Sequence, residues 1–321
     1  MARVLLTGGS GFIGTNLIDS FLGDGWDVMN FDREPARDSR QERFLRKGDI
    51  RDREALIAAV RDFRPDQVVH LAARTDLDGR TLAEYDANTT GVRNMIDAIR
   101  ASGSVQRAIF ASTRYVHRTE IFPRREDDYS PFTLYGESKV ETERMVRSSG
   151  LEIPWVLIRP TSIWGPWFRI PYRMFFDTVR RGLYVHPKGR RVSKAYGFVG
   201  NVVHQIRQFL TVDASRVNGR TFYVSDDDNM NVLQFAHSIQ KAFGAPPVRE
   251  VPLFVLQSLA KAGDVLRKMG MSNPPLTSFR LNNLLTPMDY DMSATREVAG
   301  PAPYSLDEGV RITVQWILQH G

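Results

Sequence analysis

A tyrosine and a lysine four positions apart carry side chains suited to moving a proton. If residues 135–139 are helical, the Tyr135 phenol and the Lys139 ammonium fall on one face of the helix. A free tyrosine, with a pKa of about 10, is a poor base at neutral pH, but a neighbouring cation favours the phenolate. Upstream, Thr113 supplies a hydroxyl that can orient a reacting oxygen. These three residues predict an acid–base site.

A glycine-rich turn near the start of the chain has the spacing of a phosphate-binding loop. Its three glycines stand three residues apart, between a predicted strand at 3–6 and a predicted helix that continues to Leu22. Glycines at this spacing allow a tight turn, close approach of the backbone to a pyrophosphate, and close packing of helix on strand. The residues predicted to contact a dinucleotide here are Gly8, Gly11, Phe12, Ile13 and Gly14.

The residue at the end of the next predicted strand favours NAD as the dinucleotide. Asp32 can accept hydrogen bonds from the ribose hydroxyls, and its charge would repel a 2′-phosphate. Arg33 follows immediately and could pair with such a phosphate, so NADP is the alternative.

Two further segments are expected at the same cofactor. Asp49 could face the adenine amino group, with Ile50 packed on the ring. Leu71, Ala72 and Ala73 end the third predicted strand, where small side chains would let the dinucleotide lie against the sheet edge.

The elements that must position these residues alternate between apolar strands and helices. Such a pattern predicts an α/β fold with a doubly wound parallel sheet of the Rossmann type. The regular alternation ends after Gly165-Pro166, which predicts a smaller C-terminal substrate-binding domain. We expect residues 1–165 to form the NAD-binding domain, with segments near 196–224 returning to it, and 166–321 to form mainly the second domain.

Composition excludes several classes of protein. The 321 residues are 42% hydrophobic and 25% charged, and none is cysteine, so disulfides, thiolate metal sites and a cysteine nucleophile are excluded. The six histidines lack metal-ligand spacing, and no metal is expected. Glycines begin too early for a signal peptide, and no apolar run could span a bilayer. A cytoplasmic protein without a membrane partner is therefore expected.

The net charge of +6 is concentrated in one segment. Between positions 169 and 194 there is a single acid, Asp177, against eight basic residues: Arg169, Arg173, Arg180, Arg181, Lys188, Arg190, Arg191 and Lys194. No aromatic-interleaved nucleic-acid module accompanies them, so nucleic acid is not expected. An anionic substrate and a plain solvated surface both fit this segment.

Taken together, these motifs resemble the extended short-chain dehydrogenase/reductases, the NAD-dependent epimerase/dehydratase group. The resemblance covers nearly the whole chain and also includes Asn88 with Gly91, Arg159-Pro160, Gly165-Pro166 and the C-terminal segment 304–309. It implies that Tyr135 is the acid/base, that Lys139 orients the nicotinamide ribose, and that Thr113 holds the substrate oxygen. It also implies that Asn88 supports the active-site helix and that Pro160 borders the cofactor.

The resemblance implies reversible hydride transfer on a nucleotide sugar, by an epimerase or a 4-ketoreductase. It also implies a homodimer built from residues 89–101 and the helix that carries Tyr135. The dehydratases of the group usually carry Thr-Asp-Glu where this chain has Thr113, Arg114 and Tyr115, so a 4,6-dehydratase is not expected.

Other departures leave the substrate open. Arg114 and Ser162 are expected near the substrate, and Ser162 replaces an asparagine common in nucleotide-sugar enzymes. Lys194 and Arg280 are expected at a diphosphate, although a lysine lacks the bidentate fork of an arginine. One alternative is a dehydrogenase of a free sugar, aldehyde or other alcohol. The other is a catalytically silent dinucleotide-binding sensor or scaffold.

Overall fold

The computed structural model describes residues 1–118, 125–170, 172–227, 229–271, 274 and 276–320. Their strands, in chain order, are β1 (Arg3–Thr7), β2 (Asp27–Asp32), β3 (Leu45–Lys47), β4 (Gln67–His70), β5 (Arg107–Ala111), β6 (Trp155–Pro160), β7 (Ser162–Trp164), β8 (Val185–Pro187), β9 (Ser193–Lys194), β10 (Tyr196–Phe198), β11 (Arg220–Val224), β12 (Met230–Asn231) and β13 (Arg249–Val251). Seven of them form one parallel sheet in the order β11-β6-β5-β4-β1-β2-β3.

The α-helices connect and cover these strands. In chain order they are α1 (Phe12–Gly23), α2 (Arg53–Phe63), α3 (Asp86–Ser102), α4 (Leu134–Arg147), α5 (Tyr172–Arg180), α6 (Val199–Thr211), α7 (Val232–Phe243), α8 (Leu253–Lys268), α9 (Ser278–Leu285), α10 (Ser293–Ala299) and α11 (Leu306–His320). Helix α2 packs against α3 and α3 against α4, while α1 packs against α6. The parallel sheet with its helices confirms the predicted fold class.

The strand order places a switch point between β1 and β4. The chain turns one way from β1 to β2 and β3, and the other way from β4 to β5 and β6. In sheets of this kind ligands bind at the carboxyl ends of the strands beside the switch point. The glycine turn follows β1, Leu71 follows β4, and Thr113 lies just beyond β5, so these predicted residues share one sheet edge.

The chain divides into two compact units. The first comprises Met1–Trp167, Gly197–Asp227 and Asp291–Tyr304, and the second Phe168–Tyr196, Asp228–Tyr290 and Ser305–Gly321. Within the region 196–224, β11 joins the large sheet beside β6, whereas most of the preceding segment is helix α6. Among the described helices, none combines the length and the apolar character that crossing a membrane requires.

Candidate active site

The glycine turn packs tightly against the end of β4. Gly8 has φ +74°, and a Cβ placed on it would lie 2.6 Å from the Ala72 nitrogen. At Gly14 a Cβ would lie 2.4 Å from the Gly8 oxygen, because α1 starts directly over the turn. A Cβ at Gly11 would meet the Gly8 oxygen at 3.0 Å and otherwise project into open space. Gly11 is also the N-cap of α1, so the turn presents a helix N-terminus without a side chain in the way.

Asp32 lies against this turn. Its Oδ2 accepts a hydrogen bond from the Ser10 N–H at 3.0 Å, and its Oδ1 accepts from the Glu34 N–H at 3.0 Å. Arg33 pairs with Glu34 at 3.4 Å, and both side chains are about two-thirds exposed. The acid at the turn is therefore Asp32, and the arginine that could bind a 2′-phosphate is paired on the surface.

Asp49 and Ile50 have partners within the protein. Arg51 forms an ion pair with Asp49 at 2.6 Å and reaches Asp86 at 3.4 Å. Hydrogen bonding to Arg51 holds the pKa of Asp49 below its ordinary value. Ile50 is buried in the core, where a Cβ on Gly91 of α3 would lie 2.3 Å from its Cδ1. Both side chains therefore also help to join this loop to α3.

The segment after β4 is tied to β1 by a buried histidine that the sequence analysis missed. Leu71 donates its N–H to the Thr7 oxygen at 3.0 Å, and Ala72 donates to Thr7 Oγ1 at 3.3 Å. Thr7 Oγ1 also lies 2.8 Å from His70 Nδ1. Burial and the charge of Lys139 lower the pKa of His70 to about 3, so the imidazole is neutral at physiological pH. Ala73 follows, partly buried, in the same loop.

The predicted acid–base residues lie at the start of α4, beside the turn that contains Thr113. Thr133 caps α4 by accepting from the Gly136 N–H at 3.0 Å. A Cβ on Gly136 would lie 2.4 Å from the Tyr115 oxygen, so the first turn of α4 touches the backbone after Thr113. The Tyr135 and Tyr115 rings are 6.0 Å apart, and Tyr135 is 7% exposed. Thr113 is buried, and its Oγ1 accepts from the Tyr115 N–H at 3.3 Å.

Lys139 is almost completely buried one turn further along α4. Its side chain is 2% exposed. Burial lowers the pKa of Lys139 to about 8, and the Glu143 carboxylate opposes that shift. At pH 7 Lys139 is therefore still mainly an ammonium, and near pH 8 a small change in its surroundings alters its charge.

Asn88 joins α3 to α4 and to the loop after β4. Its Oδ1 accepts from the Arg74 N–H at 2.7 Å, and its Nδ2 donates to the Arg74 oxygen at 3.0 Å and to Ser138 Oγ at 2.9 Å. Its backbone oxygen accepts from Thr142 Oγ1 at 2.9 Å. The contacts to Ser138 and Thr142 lie on either side of Lys139 along α4. Asn88 therefore supports the part of the helix that carries Lys139.

A buried ion pair behind Lys139 is the second feature that the sequence analysis missed. Glu143, one turn after Lys139, is fully buried and pairs with Arg159 of β6 at 2.7 Å. Ser112 Oγ donates to Glu143 Oε1 at 2.5 Å, and the Tyr129 hydroxyl donates to Oε2 at 2.9 Å. The sequence did contain a signal for this ion pair, because a glutamate stands four residues after the lysine of the Tyr-x-x-x-Lys motif. The group connects α4, β5 and β6 immediately behind Thr113.

The charges of this group favour an ionised Glu143. Burial alone would raise the pKa of Glu143, but Arg159, Ser112 and Tyr129 together hold it below its ordinary value. The same burial, with Glu143 nearby, raises the pKa of Tyr129 to about 12. His117 Nε2 lies 3.0 Å from Arg159 Nη1, and burial and then Arg159 lower the pKa of His117 to about 4. A neutral His117 can accept that hydrogen bond.

The remaining predicted residues of the first unit lie along the same edge of the sheet. Pro160 ends β6, and Ser162 begins β7 in a buried position. Arg114 stacks over the Tyr115 ring, with its guanidinium carbon 4.2 Å from the ring centroid.

The predicted residues of the second unit make contacts within that unit. Lys194 is buried, and its Nζ donates to the backbone oxygens of Asn283 at 2.7 Å and Thr286 at 2.5 Å, at the end of α9. Arg280 is exposed on α9 and donates to the Pro274 oxygen at 2.7 Å. The Lys194 ammonium therefore caps a helix, a contact that sequence spacing did not predict.

Comparison with known proteins identifies the family. The NAD dependent epimerase/dehydratase family matches residues 4–222, more than half of the chain. The chain belongs to this family. The match includes the glycine turn, Asp32, Thr113, Tyr135 and Lys139.

Curated relatives of this epimerase-family chain include more than one activity. An N-acetyl-α-D-glucosaminyl-diphospho-ditrans,octacis-undecaprenol 4-epimerase of Escherichia coli O157:H7 is 28% identical, covering 99% of this chain and 96% of that protein. A 3β-hydroxysteroid dehydrogenase/Δ5→4-isomerase of Mycobacterium tuberculosis is 30% identical, covering 76% of this chain and 70% of that protein. The solved UDP-glucose 4-epimerase of Thermotoga maritima has a TM-score of 0.74 at 21% identity, covering 99% of each chain.

The residues at the sheet edge fit NAD. The open side of Gly11 and the N-terminus of α1 suit a pyrophosphate, and Asp32 suits the ribose hydroxyls. Lys139 and Tyr135 are the residues that would meet the nicotinamide ribose and the substrate. Among the residues that the structure describes, no group of three or more histidine and acidic side chains could hold a metal ion.

Proposed function

We propose that the protein is an NAD-dependent 4-epimerase that acts on a sugar attached to a diphosphate. A nucleotide sugar is the substrate of this class that we propose first. The observation that carries the proposal is the juxtaposition in the first unit. Tyr135 and Lys139 start α4 against the Thr113 turn, at the sheet edge that also bears the glycine turn and Asp32. A protein that only sensed or stored a dinucleotide would need the glycine turn and Asp32. It would not need the acid–base residues Tyr135, Lys139 and Thr113.

Each half-reaction moves one hydride and one proton. Tyr135, as the phenolate, takes the proton of the substrate hydroxyl, while the carbon atom that bears this hydroxyl loses a hydride. When bound, NAD accepts this hydride and later returns it. Thr113 accepts from the Tyr115 N–H and can donate its own hydrogen to the substrate oxygen. The Lys139 ammonium stabilises the phenolate, and its burial strengthens that interaction because water screens it little.

An epimerase runs this exchange in both directions on the two faces of one carbon. Tyr135 holds the proton while the ketone turns over, and gives it back as the hydride returns to the opposite face. A 4-ketoreductase uses the second half alone and consumes reduced cofactor. The full-length likeness to a 4-epimerase favours the complete cycle.

A dehydrogenase of an alcohol that carries no diphosphate is the second candidate. Two observations favour it. Lys194, the residue expected at a diphosphate, uses its ammonium to cap α9, and the hydroxysteroid dehydrogenase relative is 30% identical. This enzyme would share Tyr135, Lys139 and Thr113 and differ in the substrate pocket.

Oligomeric state and location complete the proposal. We propose a homodimer through α3 and α4, which pack against each other and carry both basic and acidic side chains at the surface. Arg93, Arg100, Arg144 and Glu137 are exposed, and Glu141 is partly exposed. Sedimentation velocity tests this, because the double variant Arg93→Glu with Arg144→Glu should then be a monomer.

We also propose a cytoplasmic location, because an NAD-dependent enzyme needs the cofactor pool of the cell. Cell fractionation tests this location.

Product analysis by NMR tests the reaction. The protein is incubated with NAD and either UDP-sugars, a polyprenyl diphosphate-linked N-acetylglucosamine, or a 3β-hydroxysteroid, and separately with NADH and 4-keto sugars. An epimer without net cofactor change, absent with Tyr135→Phe, supports the proposal, and the substrate arm shows which diphosphate carrier is used. Oxidation of the steroid with accumulation of NADH, and no epimer from any sugar, establishes the second candidate instead.

A further inference from the structure

Helix α8 of the second unit is apolar on its exposed side as well as on its buried side. Leu256 and Ala260 face inward, where they pack with Leu281 of α9. The large apolar side chains on the outward side, with their exposed fractions, are Phe254 67%, Leu259 53%, Val265 55%, Leu266 39% and, at the C-cap, Met269 77%. Ala262 and Ser258 are exposed among them, and the Ser258 hydroxyl donates to the Phe254 oxygen of the same helix at 2.9 Å. At 100° per residue the five large apolar side chains lie within a sector of about 140° centred away from Leu256. A helix in a soluble domain normally places polar residues there.

Basic residues border this apolar face. Lys261 and Lys268 project along the edge next to Phe254, and both are exposed. The acid of the helix, Asp264, accepts a hydrogen bond from the Ser278 N–H at 3.1 Å. An apolar face edged by lysines is the pattern of a helix that lies in the interface of a bilayer.

The charge of the whole second unit matches this pattern. It contains 15 of the 43 basic residues and 7 of the 37 acidic ones, a net charge of +8. The first unit contains the remaining 28 basic and 30 acidic residues, a net charge of −2. The positive charge of the protein therefore belongs to the unit that presents the apolar helix.

We propose that the exposed face of α8 binds the surface of an anionic lipid bilayer. Phe254, Val265 and Met269 enter the acyl boundary, while Lys261 and Lys268 meet the headgroups. A second copy of the same unit is a poorer occupant, because it would bring a second net charge of +8 to the contact. The inference goes beyond the proposed function and does not rest on it. It differs from the sequence-based expectation that the protein has no membrane partner.

Vesicle flotation with the full-length protein tests the proposal. The vesicles contain phosphatidylglycerol and phosphatidylcholine in equal amounts, or phosphatidylcholine alone. One variant, Phe254→Ser with Val265→Ser, removes apolar contact, and another, Lys261→Glu with Lys268→Glu, reverses the flanking charge. The matched controls in the same unit are Leu318→Ser, whose leucine is 60% exposed on α11, and Lys241→Glu, whose lysine is exposed on α7. Circular dichroism establishes that each variant is folded.

The proposal expects the wild-type protein to float with the anionic vesicles and to detach as salt is raised. Each α8 variant should bind at least about tenfold more weakly, while both controls bind like the wild type. Absence of binding to anionic vesicles would overturn the proposal, as would equal loss in the controls. A wild-type dimer that Phe254→Ser with Val265→Ser dissociates, without vesicle binding, would show instead that the face joins two copies.

Discussion

Arg159 of β6 donates two hydrogen bonds to Glu143 of α4, from Nε to Oε1 at 2.8 Å and from Nη2 to Oε2 at 2.7 Å. Side-chain exposure is 2% for Arg159 and 0% for Glu143. The pair connects α4 to the sheet one turn beyond Lys139, and through Ser112 it also reaches the residue before Thr113. It therefore holds the helix and the turn that carry the acid–base residues.

Removing one charge of this pair should destabilise the protein strongly. In Glu143→Gln the Arg159 guanidinium is left buried without a counter-charge, and we expect the free energy of unfolding to fall by about 3–5 kcal/mol. Urea unfolding measures this. The control is Glu141→Gln, at a glutamate on the same helix that pairs with Arg144 at 2.7 Å in a half-exposed position, where we expect a loss below about 1 kcal/mol. Equal losses in the two variants would contradict a special role for the buried pair.

The pH dependence of activity should report the buried ammonium. Below pH 8 Lys139 is protonated and stabilises the phenolate, and above pH 8 it loses its proton because burial lowers its pKa to about 8. We therefore expect kcat/KM, which reports the free enzyme, to fall as pH rises through about 8. In Lys139→Arg the charge persists, so the remaining activity should lack this descending limb. A limb with the same midpoint in the arginine variant would assign it to another group.

A single methyl group at Gly8 should disrupt the glycine turn. Gly8→Ala combines φ +74° with a Cβ only 2.6 Å from the Ala72 nitrogen, so backbone must move where NAD would bind. We expect NAD affinity to fall at least about tenfold, measured by titration calorimetry. Gly25→Ala is the matched control, because Gly25 has φ +73° and its Cβ would meet nothing within 4 Å. It should lose about 1–2 kcal/mol of stability from backbone strain and bind NAD normally. If both variants bind NAD alike, the turn does not contact the cofactor.

Lys194→Met separates helix capping from substrate binding. The substitution removes a charged donor from the carbonyl oxygens of Asn283 and Thr286, so we expect a loss of about 1–3 kcal/mol in the free energy of unfolding. The KM for a UDP-sugar should change little. Lys188→Met, at an exposed lysine of the same basic segment, should leave stability unchanged. A large rise in KM with unaltered stability would return Lys194 to the diphosphate role that the sequence suggested.

Local spacing in the sequence was sufficient to predict much of the first unit. The three-residue spacing of Gly8, Gly11 and Gly14 predicted the turn, and the apolar strands predicted the parallel sheet. Both features depend on residues that are close together in the sequence. Tyr135 and Lys139 were predicted for the same reason, since an interval of four places two side chains on one helical face. The short edge strand β3 and the return of Asp291–Tyr304 to the first unit were not predicted.

Tertiary structure decided which partner each charged side chain takes. Nothing in the sequence spacing indicates that Glu143 meets Arg159 across 16 residues, or that Lys194 caps a helix about 90 residues later. Asp49 pairs with Arg51 in the loop before α2, and the second contact of Arg51, Asp86, lies at the start of α3. The sequence by itself determined the elements and the reactive residues on them. The packing of distant segments determined the charge partners, because a buried charge must be paired by whichever group the fold brings within reach.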